Sequence, residues 1–388
     1  MRGHIRKRGN GYTIILNLGR DPATGKRKRQ WISGGRTKRD AEKRLSELLS
    51  SMDTGGFVKP TRLTVAKFLE QWLKDYEPNL SPRGFERYSG IAKGHLIPGL
   101  GSIPLTRLRP EHLQKHYTAE LNSGLSARTV RYHHAVLHVA LKTAVKWGLL
   151  ARNVADAVTP PKVHTTEMRT WGEDDIKRFL EAAKDTPYYE LFYLALFTGM
   201  RRSELLALRW CDVDLLLCQV YVNRGLHHLK DGSYIFTEPK SAKSRRTIAL
   251  SPSTALLLRE YQEKRKQQYT MLGTQLTDDG LVFCHLDGGK PLRPNTITRA
   301  WEVLAAKAGV KVIRLHDARH THASLMLKQG IHPKIVQERL GHSSIQITLD
   351  TYSHVAPGLQ EAAAKRFDEG LFSQNQMEPA KRAVRIPG

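Results

Sequence analysis

The residues of this chain best equipped for chemistry lie between 314 and 354, in the runs R-L-H-D-A-R-H-T-H-A-S, L-G-H-S-S and L-D-T-Y-S-H. They include His316, Arg319, His342 and Tyr352, separated by three, 23 and ten residues. A His and an Arg three apart share one helix face, so both reach a single bound group. His342 follows Gly341, the residue type that closes a helix in a left-handed turn, which places the imidazole at that turn. Tyr352 stands in a polar run, which predicts a hydroxyl free to point into a cleft. Arg grips a phosphate with two parallel hydrogen bonds, His moves protons near neutral pH, and Tyr forms covalent esters. Together they point to phosphoryl transfer onto a tyrosine. Singly, each has an ordinary reading as a solvated charge, a satisfied polar group or a packed ring. The joint pattern carries the inference.

The elements that must position these residues are legible upstream. Thr170 and Glu173 resemble a capping box ahead of Ile176, Phe179, Leu180 and Ala183, at helical spacing. Residues 188–197 are strongly apolar, which predicts a buried helix ending at Thr198-Gly199. Arg201 then falls at a helix junction beside buried residues, a costly place for an idle cation unless it meets an anion. Glu204, three residues on, is placed to orient it. From 219 to 250 the period switches to that of strands. The expected order is a strand starting at Val220, a turn at 230–233, a return strand over 234–238, a second turn at 239–244 and a third strand over 245–250. Lys240 tips that second turn, where it could bring an ammonium over a substrate; a solvent-facing lysine is the ordinary reading. A short strand at 281–284 and a buried helix face at Ile297, Trp301 and Leu304, closed by Gly309, complete this part. An amphipathic helix is expected over 358–367, and a polar, disordered tail beyond about 371.

The first half is organised differently. Tyr12, Ile14, Leu16 and Leu18 alternate as in a strand, 26–33 reads as a second strand, and Thr37 with Asp40 resembles a capping box for a helix carrying Ala41, Leu45, Leu48 and Leu49. Residues 1–60 hold 15 Lys+Arg against 5 Asp+Glu, a charge suited to a groove of DNA. Its basic clusters are Arg6, Lys7 and Arg8, and Arg27, Lys28 and Arg29. Thr54-Gly55-Gly56 reads as a linker. From 63 to about 159 four helices are expected. Their apolar stripes run through Phe68, Leu69, Trp72 and Leu73; Phe85, Tyr88 and Ile91; Leu113, Tyr117 and Leu121; and Val130, Leu137, Leu141 and Ala144. Arg128, Arg131, His133, His134, Lys142 and Lys146 are assigned to an outer basic face. Thr159-Pro160-Pro161-Lys162 breaks the pattern as an interdomain linker.

Composition narrows the partners. Of 388 residues, 62 are Lys or Arg and 37 Asp or Glu, a formal charge of +25 that favours a polyanion, nucleic acid first. An anionic membrane surface ranks second, but no apolar run approaches the roughly 18 residues of a spanning helix. No apolar signal segment follows the basic start. Three scattered cysteines, Cys211, Cys218 and Cys284, form no disulfide framework and are expected as thiols in a reducing cytosol.

These motifs resemble those of the tyrosine recombinases of phage and conjugative-element integrase type. T-G-M-R-R-S-E-L-L-A-L-R-W is similar to the family's first arginine box, E-P-K-S-A-K-S-R-R-T-I to its lysine hairpin, H-D-A-R-H-T-H-A-S to its second arginine box, and the last two runs to its later His and Tyr motifs. The resemblance implies Arg201, Lys240, His316, Arg319, His342 and Tyr352 as catalytic residues, with Glu204 in support. In that scheme the arginines clamp one DNA phosphate, Tyr352 attacks it, His316 serves as base, Lys240 protonates the departing 5′-oxygen and His342 hydrogen-bonds the phosphate. No cofactor and no metal is required.

It further implies a multidomain fold. A small α+β arm-binding module spans 1–56 and an all-α, SAM-like core-binding domain 61–160. A mainly α, mixed α/β catalytic domain with a small antiparallel sheet spans 165–370. Expected DNA contacts are Arg6, Lys7, Arg8, Arg27, Lys28, Arg29, Arg128 and Arg131. Expected partners are double-stranded DNA at core and arm sites, three further copies of the chain in a homotetramer on paired sites, and DNA-bending and directionality proteins. The cytoplasm, around the nucleoid, is the expected location. Two rival readings are a type IB topoisomerase, which shares the phosphotyrosine step, and a helix-turn-helix regulator built on 325–344. A metal site at His316, His320 and His322 lacks an accompanying Glu or Cys pattern.

Overall fold

A computed structural model describes residues 3–20, 25, 27–53, 62–163, 168–238, 245–287, 289–352, 364–365 and 367–368. The chain divides into two compact units, Met1–Thr165 and Thr166–Gly388.

The N-terminal segment folds as three antiparallel strands and a helix: β1 (Gly3–Arg8), β2 (Gly11–Arg20), β3 (Arg27–Gly35) and α1 (Lys38–Asp53), in sheet order β1-β2-β3. The sequence pattern predicts two strands; β1 is the addition. Its run G-H-I-R-K-R carries one large apolar residue, and it forms because β2 offers it a partner from Gly3↔Leu16 to Arg8↔Gly11. The Ile5–Ile14–Ile32 row lies on the side facing α1, where Gly34 lies against Ala41. Alternation puts Arg6, Arg8, Arg27 and Arg29 on the opposite face with Trp31, which is 62% exposed. The Thr37–Asp40 cap forms as expected, with Asp40 N donating to Thr37 Oγ1 at 3.2 Å.

The helical segment comprises α2 (Val65–Tyr76), α3 (Pro82–Ile91), a π-helical turn (Ala92–Leu96), α4 (Ile97–Leu100), α5 (Pro110–Asn122) and α6 (Ala127–Lys146). Ser81 and Ser126 cap α3 and α6, as their positions before Pro82 and Ala127 predict. The predicted stripes supply its core, with Phe68, Trp72, Tyr117, Leu137 and Leu141 essentially fully buried; Leu121, expected in the third stripe, is exposed instead. Each buried side chain of this kind contributes roughly 1.5–3 kcal/mol. The π turn and α4 are not expected from the sequence. His133 is a correction: it is 2% exposed and meets Glu120 at 2.9 Å, so it belongs to the interior and not to the outer basic face.

In the second unit α7 (Glu173–Ala183) is capped by Gly172 and Asp175, not by Thr170 and Glu173; the Asp175 carboxylate accepts the Gly172 N–H at 3.2 Å. Then come α8 (Tyr189–Thr198), α9 (Arg202–Leu205), β4 (Val213–Asp214), β5 (Gln219–Val222), β6 (Gly225–His228), β7 (Tyr234–Thr237) and β8 (Arg246–Ala249). The helices α10 (Pro252–Met271), α11 (Pro294–Lys307), α12 (Leu315–Lys328), α13 (Pro333–Leu340) and α14 (Ile345–Tyr352) follow. The strands form two sheets: β4-β5-β8, and a separate β6-β7 ribbon closed by the 229–233 turn. The 281–284 stretch makes isolated bridges to Arg209 and Pro291, without a strand. Trp171, Phe179, Phe192 and Trp301 stack at the centre of the core. Most of the helix expected over 358–367, and the tail 371–388, lie outside the described residues. No helix among the described residues is long and apolar enough to cross a membrane.

Candidate active site

The site begins where α8 stops. Gly199 adopts φ +65°, and a Cβ there would meet Leu340 Cδ2 at 2.7 Å and His322 Cδ2 at 2.9 Å, so glycine is required for both conformation and space. The reversal makes Arg201 the N-cap of α9. Glu204 accepts from the Arg201 backbone N–H at 2.9 Å and from Arg201 Nη1 at 2.7 Å. From β8, Arg246 donates to the same carboxylate at 2.8 and 3.2 Å. Burial alone would raise the Glu204 pKa, but the hydrogen bond and charge of Arg246 and the charge of Arg201 override it and hold the pKa at about 2.

Arg319, on α12, is 3% exposed. Its Nη1 donates to Gly199 O at 2.9 Å and its Nη2 to Leu340 O at 2.5 Å. Arg201 Nη2 donates to the next carbonyl, Gly341 O, at 3.3 Å. These acceptors sit at the C-terminal ends of α8 and α13, where carbonyls lack intrahelical partners and the helix dipole is negative. Desolvation, with the charge of Arg201, lowers the Arg319 pKa to about 9, which leaves it protonated at neutral pH. The two cations therefore converge on one helix end, fixed by backbone rather than by carboxylates of their own, with Glu204 shared between Arg201 and Arg246. Such a cluster favours an anion.

His342 follows Gly341, which caps α13 at φ +65°, as its sequence position predicts. Its Nδ1 meets Thr348 Oγ1 at 2.8 Å, and burial with the charges of Arg319 and Arg201 lowers its pKa to about 3. Tyr352 closes α14. Its ring is 1% exposed and packs with Ala323, Leu327, Val336 and Leu340. The expectation of a hydroxyl free in a cleft is corrected: Tyr352 Oη lies 2.7 Å from His320 Nδ1. Burial raises the Tyr352 pKa to about 12, against the pull of Arg319. It lowers that of His320 to about 4.

His316 shares α12 with Arg319. It lies at the surface, its ring edge-on to that of His320 at 5.2 Å. Crowding on its protein side, and the charge of Arg319, lower its pKa. His322 serves the fold, with Nδ1 on Leu196 O at 2.9 Å and Nε2 accepting from Arg339 Nε at 3.0 Å. Lys240 lies outside the described residues.

Arg246 and His320 carry more of this geometry than the sequence reading gave them. Both stand inside the quoted boxes, Arg246 in S-R-R-T-I six residues after Lys240 and His320 in H-D-A-R-H-T-H one residue after Arg319. Among the expected DNA contacts, Arg6, Lys7 and Arg8 are exposed on β1, Arg27 and Arg29 are exposed on β3, and Arg128 and Arg131 are exposed on α6. The Lys28 backbone lies in β3.

Three family models match the chain: the phage integrase family over residues 170–358, the phage integrase N-terminal SAM-like domain over 64–121 and an arm DNA-binding domain over 4–52. An ICEBs1 integrase from Bacillus subtilis strain 168 is 26% identical over 95% of this chain and 100% of its own length. A tyrosine recombinase XerC-like protein from Caldanaerobacter subterraneus subsp. tengcongensis is 27% identical over 92% of this chain and 96% of its own. Among solved structures, a Tn1549 transposon integrase in complex with a circular intermediate DNA has a TM-score of 0.66 at 21% identity, over 79% of this chain and 99% of that one. A lambda integrase tetramer bound to a Holliday junction has a TM-score of 0.57 at 19% identity, over 92% and 96%.

Proposed function

The chain belongs to the phage integrase family of tyrosine recombinases, and on that premise we infer that the cluster around Arg201, Arg319, His342 and Tyr352 is its DNA-cleaving centre. It is a site-specific DNA recombinase that cuts and rejoins strands to integrate or excise a mobile element. The observation that carries the assignment is the docking of Arg201 and Arg319 on consecutive carbonyls beside His342, with Tyr352 packed on the same two helices, α12 and α13.

The chemistry follows from those positions. One DNA phosphate enters between the two guanidiniums, whose remaining N–H groups hold its non-bridging oxygens and stabilise the charge that grows in the transition state. Tyr352 Oη attacks phosphorus, and the bond from phosphorus to the 5′-oxygen breaks. The phenolic proton passes into the His320–His316 pair; His320, neutral at pH 7, makes the immediate contact. Lys240 gives a proton to the departing 5′-oxygen, and His342 hydrogen-bonds the phosphate. The product is a 3′-phosphotyrosine, which conserves the ester energy for rejoining, so neither ATP nor a catalytic metal enters the balance.

The test is trapping on nicked duplex DNA, where loss of the short 5′ fragment blocks religation. The wild-type chain accumulates a covalent protein–DNA band, and Tyr352→Phe binds the same duplex without forming it. A covalent band that persists in Tyr352→Phe sinks the nucleophile assignment.

Arg128 and Arg131 on α6 contact core-site DNA in this scheme, while Arg6, Arg8, Arg27 and Arg29 around Trp31 contact a separate arm site. Tethering two DNA-binding surfaces raises avidity without new contacts. Four copies of the chain assemble on two paired core sites, with DNA-bending and directionality proteins in attendance, in the cytoplasm where the chromosome lies. A helix-turn-helix role for residues 325–344 is disfavoured because it leaves Arg201, Lys240 and Tyr352 without a use. A type IB topoisomerase shares the chemistry but gives no use for a second DNA-binding module.

A further inference from the structure

The helical segment between 62 and 163 buries a charge that DNA cleavage does not explain. Glu120, on α5, is 7% exposed, and among the described residues its ion pairs run to three histidines. His133 Nδ1, from α6, lies 2.9 and 3.0 Å from its two carboxylate oxygens. His95 Nδ1, from the π turn, lies 3.2 Å from Glu120 Oε1, and His116 Nε2, one turn earlier on α5, lies 3.6 Å from it. The His95 and His133 rings are 4.3 Å apart. His116 Nε2 is buried without a hydrogen-bond partner.

A buried carboxylate with no Arg or Lys beside it is costly unless something positive shares its site. Two imidazoles and one carboxylate suit three corners of a tetrahedral zinc site, whose bonds of about 2.0–2.2 Å place neighbouring ligand atoms roughly 3.3–3.5 Å apart. The distances from Glu120 Oε1 to His133 Nδ1 and His95 Nδ1, 2.9 and 3.2 Å, fall just short of that edge. The local backbone also serves the cluster. The π turn that carries His95 interrupts the helical register, and such turns recur at functional sites. Gly99 makes room for His116, since a Cβ there would lie 2.3 Å from His116 Nδ1. The His116 ring is therefore wedged with its other nitrogen towards Glu120.

We propose that His95, Glu120 and His133, whose ligand atoms all lie within 4.8 Å of one another, bind one divalent transition-metal ion of the zinc class, with His116 beside them. The three ligands come from three different elements, and a water completes the tetrahedron. The ion ties the π turn, α5 and α6 together, and with them the helix that carries Arg128 and Arg131. It is remote in sequence from Tyr352 and takes no part in phosphoryl transfer.

The test uses the full chain, stripped with a chelator and then given Zn²⁺ or Co²⁺. Expected are one tightly held zinc per chain by elemental analysis, a raised melting temperature, and the intense visible absorption of tetrahedral Co²⁺. His95→Ala alters the most exposed ligand and should leave the fold intact by circular dichroism while weakening Zn²⁺ binding on the order of 100-fold or more. Glu120→Gln should lose the cobalt spectrum. Absence of retained zinc and of a tetrahedral cobalt spectrum in the wild-type chain overturns the proposal without recourse to any variant. So does undiminished binding in both variants, which would place the ion elsewhere on the chain.

Discussion

The Tyr352 hydroxyl and the His320 ring are joined at 2.7 Å in a site where Tyr352 is 1% exposed. Burial drives the two pKa values apart, the phenol to about 12 and the imidazole to about 4, so at neutral pH the pair is a neutral acid beside a neutral base. His320→Ala should slow cleavage of nicked DNA by roughly 10²–10⁴ if that ring receives the proton. It should also destabilise the chain by about 1–3 kcal/mol, because a buried hydroxyl loses its partner. Single-turnover rates of His320→Ala and His316→Ala decide the matter. A crippled His316→Ala beside a near-normal His320→Ala would make the observed hydrogen bond a matter of packing, with His316 as the base.

Stability should fall with pH in two windows. The folded pKa values of His320, His322 and His342 are lowered to about 4, 3 and 3. Below about 6.5 the unfolded chain therefore takes up protons that the folded chain refuses, and stability declines. Glu204 is also depressed, to about 2, so its contribution is complete above the unfolded value of about 4.5 and is lost as pH falls through 2. That contribution is on the order of 3 kcal/mol. Urea midpoints measured from pH 7.5 to pH 3 should fall throughout. Glu204→Gln should abolish the lower window and destabilise the chain at pH 7 by roughly 3–5 kcal/mol, because it strips a buried carboxylate from Arg246 and Arg201. A midpoint that holds level from pH 7 to pH 4 would contradict the histidine account.

The open face of the N-terminal sheet should bind DNA by charge and stacking together. Arg6, Arg8, Arg27 and Arg29 share that face with Trp31 by strand alternation. Replacing one of these arginines should lower the slope of log K against log salt by about 0.9 for arm-site DNA and leave core-site binding alone. Trp31→Ala should weaken arm binding with little change in slope. Equal losses on both DNA sites would show that this face is not a separate reader.

What the sequence revealed and what it hid divide along physical lines. Chain-local signals were legible: Ser81 and Ser126 as caps, Gly199 and Gly341 as helix stops, and the stripe through Phe68, Trp72 and Leu73. So were Arg201 with Glu204, because one helical turn separates them. Pairings between distant residues were not legible. Nothing near Arg246 announces that it meets Glu204 at 42 positions' distance, and nothing in H-H-A-V announces that His133 faces inward to Glu120. The strand β1 was hidden for the same reason, since its stability comes from Ile5 meeting Ile14 and not from its own polar run. His116 and Glu120, four apart on α5, were the available hint of the histidine cluster.

Lys240 is assigned by motif alone, and Lys243, three residues on, could take the same role. The function assigned is to protonate the 5′-oxygen as it leaves phosphorus, a contribution of roughly 10²–10⁴ in rate. The strands on either side, β7 and β8, end at Thr237 and begin at Arg246, so both lysines fall in the segment that joins them. The two roles in the centre respond differently to the leaving group. A DNA substrate with sulfur at the bridging 5′ position departs as a stable thiolate and needs little protonation. Lys240→Ala should therefore be severely slow on ordinary DNA and largely restored on the sulfur substrate. Arg319→Ala should be impaired on both, because the phosphate must be held whichever atom leaves. Equal impairment of Lys240→Ala on the two substrates would reject it as the acid, and restoration confined to Lys243→Ala would transfer the role to that residue.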